Sequence, residues 1–271
     1  MISIHIKQYY RQTAQQCLNM AFFSLLVSSI VFVINHFFFP KQAIWVAVIP
    51  FIAFSILFFI QFRINYKRYK DIPGIGPESG ADLLREKHIL MAYMPAPTLR
   101  VLLYSKEGLF QGEIADQNTS WYKWFIPDSI AEILPTVYVL LDANGERIAT
   151  FSHTRFFSGT WSIKGRDGRP LYTYKENWKK SLFRYSGVVE DETGKPILDI
   201  DAGGFLQQFT IPFSGSSKEA ATFQKGWMPL EWAERFKELN TPILTFSSEA
   251  SENERVAIFG VCARLLKNRN N

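Results

Sequence analysis

The sequence predicts a two-helix transmembrane hairpin followed by a mainly β domain, a closed antiparallel β-barrel built around a hydrophobic C-terminal helix. Three observations predict it. Met20–Phe39 and Ala43–Phe62 are apolar runs without Lys, Arg, Asp or Glu, separated only by Pro40-Lys41-Gln42. Beyond residue 136, β-branched and aromatic runs alternate with turns rich in Asp and Gly. Near the C-terminus, Val256–Ala263 is apolar or small at every position.

Each apolar run has about the 20 residues a helix needs to cross a hydrocarbon layer roughly 30 Å thick. The break at Pro40 turns the second helix back, so the spans fall at residues 20–39 and 43–62. Phe37-Phe38-Phe39 and Trp45 beside the turn suit an aromatic belt at the bilayer surface. Lys7 and Arg11 precede the first run, Arg63, Lys67, Arg68 and Lys70 follow the second, and the turn holds only Lys41. Lys and Arg near span ends stay on the cytoplasmic side. The chain therefore reads as a multi-pass cell-membrane protein with both termini in the cytoplasm. A cleaved signal peptide would be shorter and would end at a small-residue site before a polar sequence.

Residues 1–70 carry seven basic and no acidic side chains, whereas 81–271 carry 23 of each. The net charge of +5 thus belongs to the flanks of the hairpin and argues for a membrane rather than a nucleic-acid partner. The two cysteines, Cys17 and Cys262, form neither a metal-spaced pair nor a disulfide framework. This suits a reducing compartment.

Asp71–Gly80 contains two prolines and three glycines, which stop helix and strand alike. The organisation is a hairpin at 1–70, a linker at 71–80 and one domain at 81–271. In that domain Val137–Leu141 leads into Asp142-Ala143-Asn144-Gly145, then Arg147–Phe151. Trp161–Lys164 leads into Arg166-Asp167-Gly168-Arg169, then Pro170–Tyr174. Val188-Val189 leads into Asp191-Glu192-Thr193-Gly194, then Ile197–Ile200. Glycine supplies the positive φ of a tight hairpin, so the recurrence predicts an antiparallel meander of barrel or sandwich type.

Helices are few. Pro127–Leu134 has room for two turns, and Pro229–Leu239 carries Pro near its start with Leu230, Ala233 and Phe236 at helical spacing. Ser251-Glu252-Asn253-Glu254 has the form of a capping box opening the last helix, with Arg264, Lys267 and Arg269 at its dipole-favoured end. A helix apolar all round and too short to span a bilayer must be buried all round. In a β domain the lumen of a closed sheet provides that.

On these features the chain resembles the superfamily of the tubby C-terminal domain, the phospholipid scramblases and the LURP-one-related proteins. The resemblance covers roughly residues 85–267. It rests on the repeated turns, on Asp199–Phe205 leading to Phe209-Thr210-Ile211, and on Arg255–Cys262. It implies a tubby-like barrel around a hydrophobic helix, binding to membrane lipids, and no shared catalytic residues.

Direct signs of chemistry are sparse. His88 and His153 lie in no ligand spacing, and no nucleophile elbow, P-loop or dinucleotide fingerprint occurs. Cys262 in an apolar helix reads as a small hydrophobe. Asp199 and Asp201, at alternate strand positions, read as a solvated face rather than a metal site. No metal or cofactor is expected, and the reading is non-catalytic.

Residues 155–184 carry a net charge of +6, with Trp161, Tyr172, Tyr174, Trp178 and Tyr185 among the basic side chains. Lys175, Trp178, Lys179, Lys180 and Arg184 are the predicted lipid contacts, since a cationic, aromatic face is drawn to anionic headgroups. The expected partners are those headgroups or a membrane protein. Two other readings stay open. One is a membrane-associated enzyme with a pocket at the barrel mouth. The other is a scaffold acting through small residues of its hairpin, Ser24, Ser28 or Ser29.

Overall fold

The computed structural model describes residues 6–38, 44–72, 82–94, 96, 98–118, 123, 136–153, 159–177, 184–203, 206–226, 228–233, 235–238 and 240–267. The chain forms two compact units, divided between Gly76 and Pro77.

The first unit is a pair of helices, α1 (Ile6–Phe38) and α2 (Ile44–Asp71). Both are long and apolar enough to cross a membrane. They run antiparallel and are pinned by reciprocal hydrogen bonds. Ser24 Oγ donates to Phe51 O at 2.7 Å, and Ser55 Oγ donates to Ala21 O at 3.0 Å. Ser24, Ser28 and Ser55 are all buried. The serines that would have served a partner helix thus close the hairpin on itself, and only Ser29, bonded to Leu25 O, stays exposed. The outward faces are apolar instead. Phe22, Phe23, Leu26, Phe37, Phe38, Trp45, Val46 and Leu57 are each more than half exposed, which is stable in lipid and not in water. Helix α1 begins 14 positions before the predicted span, because Gln12, Thr13, Gln15, Gln16 and Asn19 are polar but uncharged and continue the helix.

The second unit is a single twelve-stranded antiparallel sheet. Its strands are β1 (His88–Tyr93), β2 (Arg100–Tyr104), β3 (Phe110–Asp116), β4 (Val137–Asp142), β5 (Arg147–His153), β6 (Thr160–Lys164), β7 (Pro170–Glu176), β8 (Arg184–Glu190), β9 (Pro196–Gly203), β10 (Gln208–Pro212), β11 (Glu219–Gln224) and β12 (Ile243–Phe246). The spatial order is β10-β11-β12-β1-β2-β3-β4-β5-β6-β7-β8-β9. The edges come together through the Leu198–Phe213 bridge and a 2.8 Å bond from Ser214 N to Ile197 O, so the barrel is nearly closed. Two short helical elements complete it, α3 (Leu230–Ala233) and the C-terminal α4 (Glu252–Lys267).

Helix α4 fills the lumen. Every residue from Arg255 to Leu266 is buried. Around it lie the inward members of the alternating strands, among them Leu140, Phe151, Ile163, Val189, Leu198, Phe209, Phe223 and Phe246. At Gly260 the sheet presses close enough that a side chain would force its neighbours to shift. A Cβ there would stand 3.0 Å from Ile163 and 3.1 Å from Phe151. The capping box forms as the spacing predicts, with Ser251 N donating to Glu254 Oε2 at 2.7 Å and Glu254 N to Ser251 Oγ at 3.3 Å.

The predicted helix at 229–239 is cut to the four residues of α3. Phe236 beyond it is fully buried with its ring 6.0 Å from that of Tyr104, so packing over the outside of the barrel decides its place. The helix predicted at 127–134 lies outside the described residues.

Candidate functional site

In an antiparallel barrel successive connections alternate between two ends. One end carries the tight turns, β2–β3, β4–β5, β6–β7, β8–β9 and β10–β11, together with the start of α4. The other carries the connections β1–β2, β3–β4, β5–β6, β7–β8, β9–β10 and β11–β12 and the end of α4. Of the predicted lipid contacts, Lys175 is the penultimate residue of β7, on its outer face, and Arg184 opens β8. The two residues stand at the roots of one connection at the loop end. Trp178, Lys179 and Lys180 fall within that connection, outside the described residues.

Lys175 and Arg184 line one outer groove of about 790 Å³, with Ser186, Val188, Glu190, Asp199 and Asp201. Each already has a carboxylate partner across the sheet. Lys175 Nζ meets Glu190 Oε2 at 2.6 Å, and the Arg184 guanidinium grips Asp201 with two bonds of 2.9 and 2.8 Å. The groove is therefore mixed in charge. Its ion pairs lie in solvent, where such pairs are worth at most about 1 kcal/mol and exchange readily. Asp199 accepts from Ser214 Oγ at 3.2 Å. The Asp199/Asp201 face is thus occupied by Ser214 and Arg184, and among the described residues no cluster of His, Cys, Asp or Glu can hold a metal ion.

Inside the barrel at the same end lies a polar cluster that the sequence did not reveal. Arg264 points from α4 to Glu176, its Nε and Nη2 donating to Oε2 at 3.1 and 2.8 Å. Both side chains are more than nine-tenths buried. By sequence alone Arg264 suits the C-terminal end of the helix dipole. Its guanidinium carbon also lies 5.8 Å from the Trp161 ring centroid. Trp161 is sandwiched by Tyr138 at 5.9 Å, stacked, and by His153 at 4.5 Å. His153 Nδ1, Trp161 Nε1 and Tyr174 Oη are buried without hydrogen-bond partners among the described residues.

Burial, and then the positive charges of Arg264 and Lys267, lower the His153 pKa to about 4. It is neutral at pH 7. Burial, and then Glu176, keeps the Tyr174 phenol protonated far above its usual range, and burial pushes the Cys262 thiol up to about 12. No described group here is an activated nucleophile. The signal that could have located the cluster is the alternation of β7. It places Glu176 on the same face as the inward Tyr174, and a carboxylate facing a lumen requires a cation on the helix.

No family model matches the chain, and no curated protein matches it. Among solved structures, the X-ray structure of a protein from Arabidopsis thaliana is similar. It shares 14% identity and a TM-score of 0.43 over 68% of this chain and 92% of that one.

Proposed function

We propose that this is a membrane-anchored, non-catalytic protein with both termini in the cytoplasm. Its barrel, of the tubby-like kind, engages anionic lipid headgroups, or a membrane partner presenting similar groups, through the β7–β8 connection at its loop end. The observation that supports this most is the placement of Lys175 and Arg184. Both stand at the foot of the connection that carries Trp178-Lys179-Lys180, in exposed ion pairs that a phosphate can displace at small cost.

The test is vesicle binding. The full chain in nanodiscs of neutral lipid is mixed with vesicles containing phosphatidylserine or only phosphatidylcholine. Preference for the anionic vesicles, falling with salt and weakened by Lys179→Glu with Lys180→Glu, is the expected result. Equal binding to both vesicle types at low salt sinks the reading.

One observation favours a second reading, an enzyme or small-molecule binder with its pocket at the barrel mouth. Three polar atoms without a partner among the described residues, beside a buried ion pair, are an arrangement that water or a bound ligand normally completes.

A further inference from the structure

The other concentration of positive charge lies on the hairpin. Lys7, Arg11, Arg63, Lys67, Arg68 and Lys70 lie on α1 and α2, and Asp71 is the one carboxylate between Ile6 and Ile72. The helix repeat gathers them. Lys7 and Arg11 stand four apart on α1, while Arg63, Lys67 and Lys70 follow at four and three on α2, so each set shares a face. The pairing of the helices brings the sets to one level. The serine bonds align residue 24 with 51 and 55 with 21, and Lys7 Nζ reaches Ile72 O at 2.9 Å. Charge thus begins at Arg11 on one helix and Arg63 on the other at nearly the same height, directly past the charge-free stretches.

This collar is also ordered by aromatic rings. The ammonium of Lys7 lies 5.4 Å from the Tyr69 ring centroid, the guanidinium of Arg68 5.8 Å from that of Tyr10, and the ammonium of Lys70 4.8 Å from that of Tyr66. Tyr9 and Tyr10 meet edge to face at 5.1 Å. Rings with one wet and one apolar edge belong at the headgroup level. They hold the cations against the helix pair, which lowers the entropy lost when an anion binds.

We infer that the collar is itself a lipid-binding site, one that takes the phosphate of an anionic phospholipid between the ends of α1 and α2. The inference rests on the membrane insertion in the function proposed above and is independent of the barrel's own binding. Order, level and charge all match a phosphate-bearing headgroup whose acyl chains lie along the apolar faces described above. A free phosphate shares the headgroup chemistry but gains nothing from those faces.

The experiment uses the full chain purified in a neutral detergent. Retained lipids are read by native mass spectrometry, and melting is followed with added phosphatidylglycerol, phosphatidylcholine or inorganic phosphate. Phosphatidylglycerol is expected to be retained and to raise the melting temperature, with little effect of the other two. Each basic residue removed should weaken that binding about fivefold, so Arg11→Gln with Lys67→Gln, both exposed, should weaken it about 25-fold. Lys7→Gln with Arg68→Gln gives a second pair at the ring-bound positions.

Lys179→Glu with Lys180→Glu should leave the effect unchanged. If that barrel pair abolishes the effect while both collar pairs preserve it, the lipid site is on the barrel and the inference is wrong. Equal retention of the neutral lipid overturns it too. Equal stabilisation by inorganic phosphate shows a free-anion site and overturns the lipid assignment.

Discussion

The two ends of the barrel are built from the same strands and solve opposite problems. Helix α4 presents a buried arginine to each. At the turn end Arg255 is surrounded by main-chain oxygens. Its guanidinium donates to Leu84, Glu86, Ala250 and Ser247 carbonyls at 2.8 to 3.2 Å. At the loop end Arg264 pairs with the carboxylate of Glu176, beside polar atoms of His153, Trp161 and Tyr174 that have no hydrogen-bond partner among the described residues. Neutral carbonyls distribute a charge without creating a second one. An ion pair concentrates both charges in a low dielectric, where losing either partner is costly. The turn end also holds buried polar atoms with no hydrogen-bond partner among the described residues, those of Ser105 and Gln111. The difference teaches that one end neutralises its arginine with main-chain carbonyls the fold already fixes, while the other sets a second buried charge against it.

The largest expected effect probes that contrast directly. Glu176→Gln should destabilise the protein by about 3–5 kcal/mol, since it removes the carboxylate that balances the buried Arg264 charge. Glu176→Leu combined with Arg264→Met should recover most of that loss in denaturant titrations. Failure of the double variant to recover would mean that Arg264 has a further indispensable partner at the loop end.

Titration should follow the same division. His153 is neutral when folded, with its pKa lowered to about 4 against 6.5 for the free side chain. Below pH 6.5 the unfolded chain binds the proton and the folded one does not. The stability that His153 contributes is therefore complete above pH 6.5 and lost as the pH falls towards 4. His153→Gln should flatten this part of a pH-stability curve.

The smallest effect is expected at the turn end. Gly194 has φ of +83° with open space around the position of a side chain. Gly194→Ala should cost about 1–2 kcal/mol through backbone strain alone, measured as a shift in the denaturation midpoint. A cost near that of Glu176→Gln would erase the distinction between the ends.

The turn end was also the legible end. Gly145, Gly168 and Gly194 all take positive φ in the hairpins their neighbours announce, and Ser251 with Glu254 caps the helix that the all-apolar run predicted. These features are local, written within four or five residues. Strands β1 and β2 were not legible. His88–Tyr93 and Arg100–Tyr104 have apolar side chains on both faces, since Leu90, Leu102 and Tyr104 are fully buried on the side away from α4. Such a run shows no period of two. The shortening of the helix at Pro229 has the same cause, for Phe236 joins that outer layer. The Glu176–Arg264 pair joins residues 88 positions apart, and only the register of a finished barrel shows it.

The strand order carries one more consequence, for synthesis. Strand β1 has β12 as one neighbour, pairing His88 with Thr245 and Leu90 with Ile243. When a ribosome has made the first strand, its partner is still more than 150 residues away. At about 5–20 residues per second this is a wait of roughly 8 to 30 seconds. During that time the β1 edge and the apolar inner faces of the strands lack the helix that will fill them. Nascent barrel is therefore expected to be a client for chaperones that shield sheet edges. Translation slowed within the last third of the message should lengthen this exposure and lower the yield of folded protein.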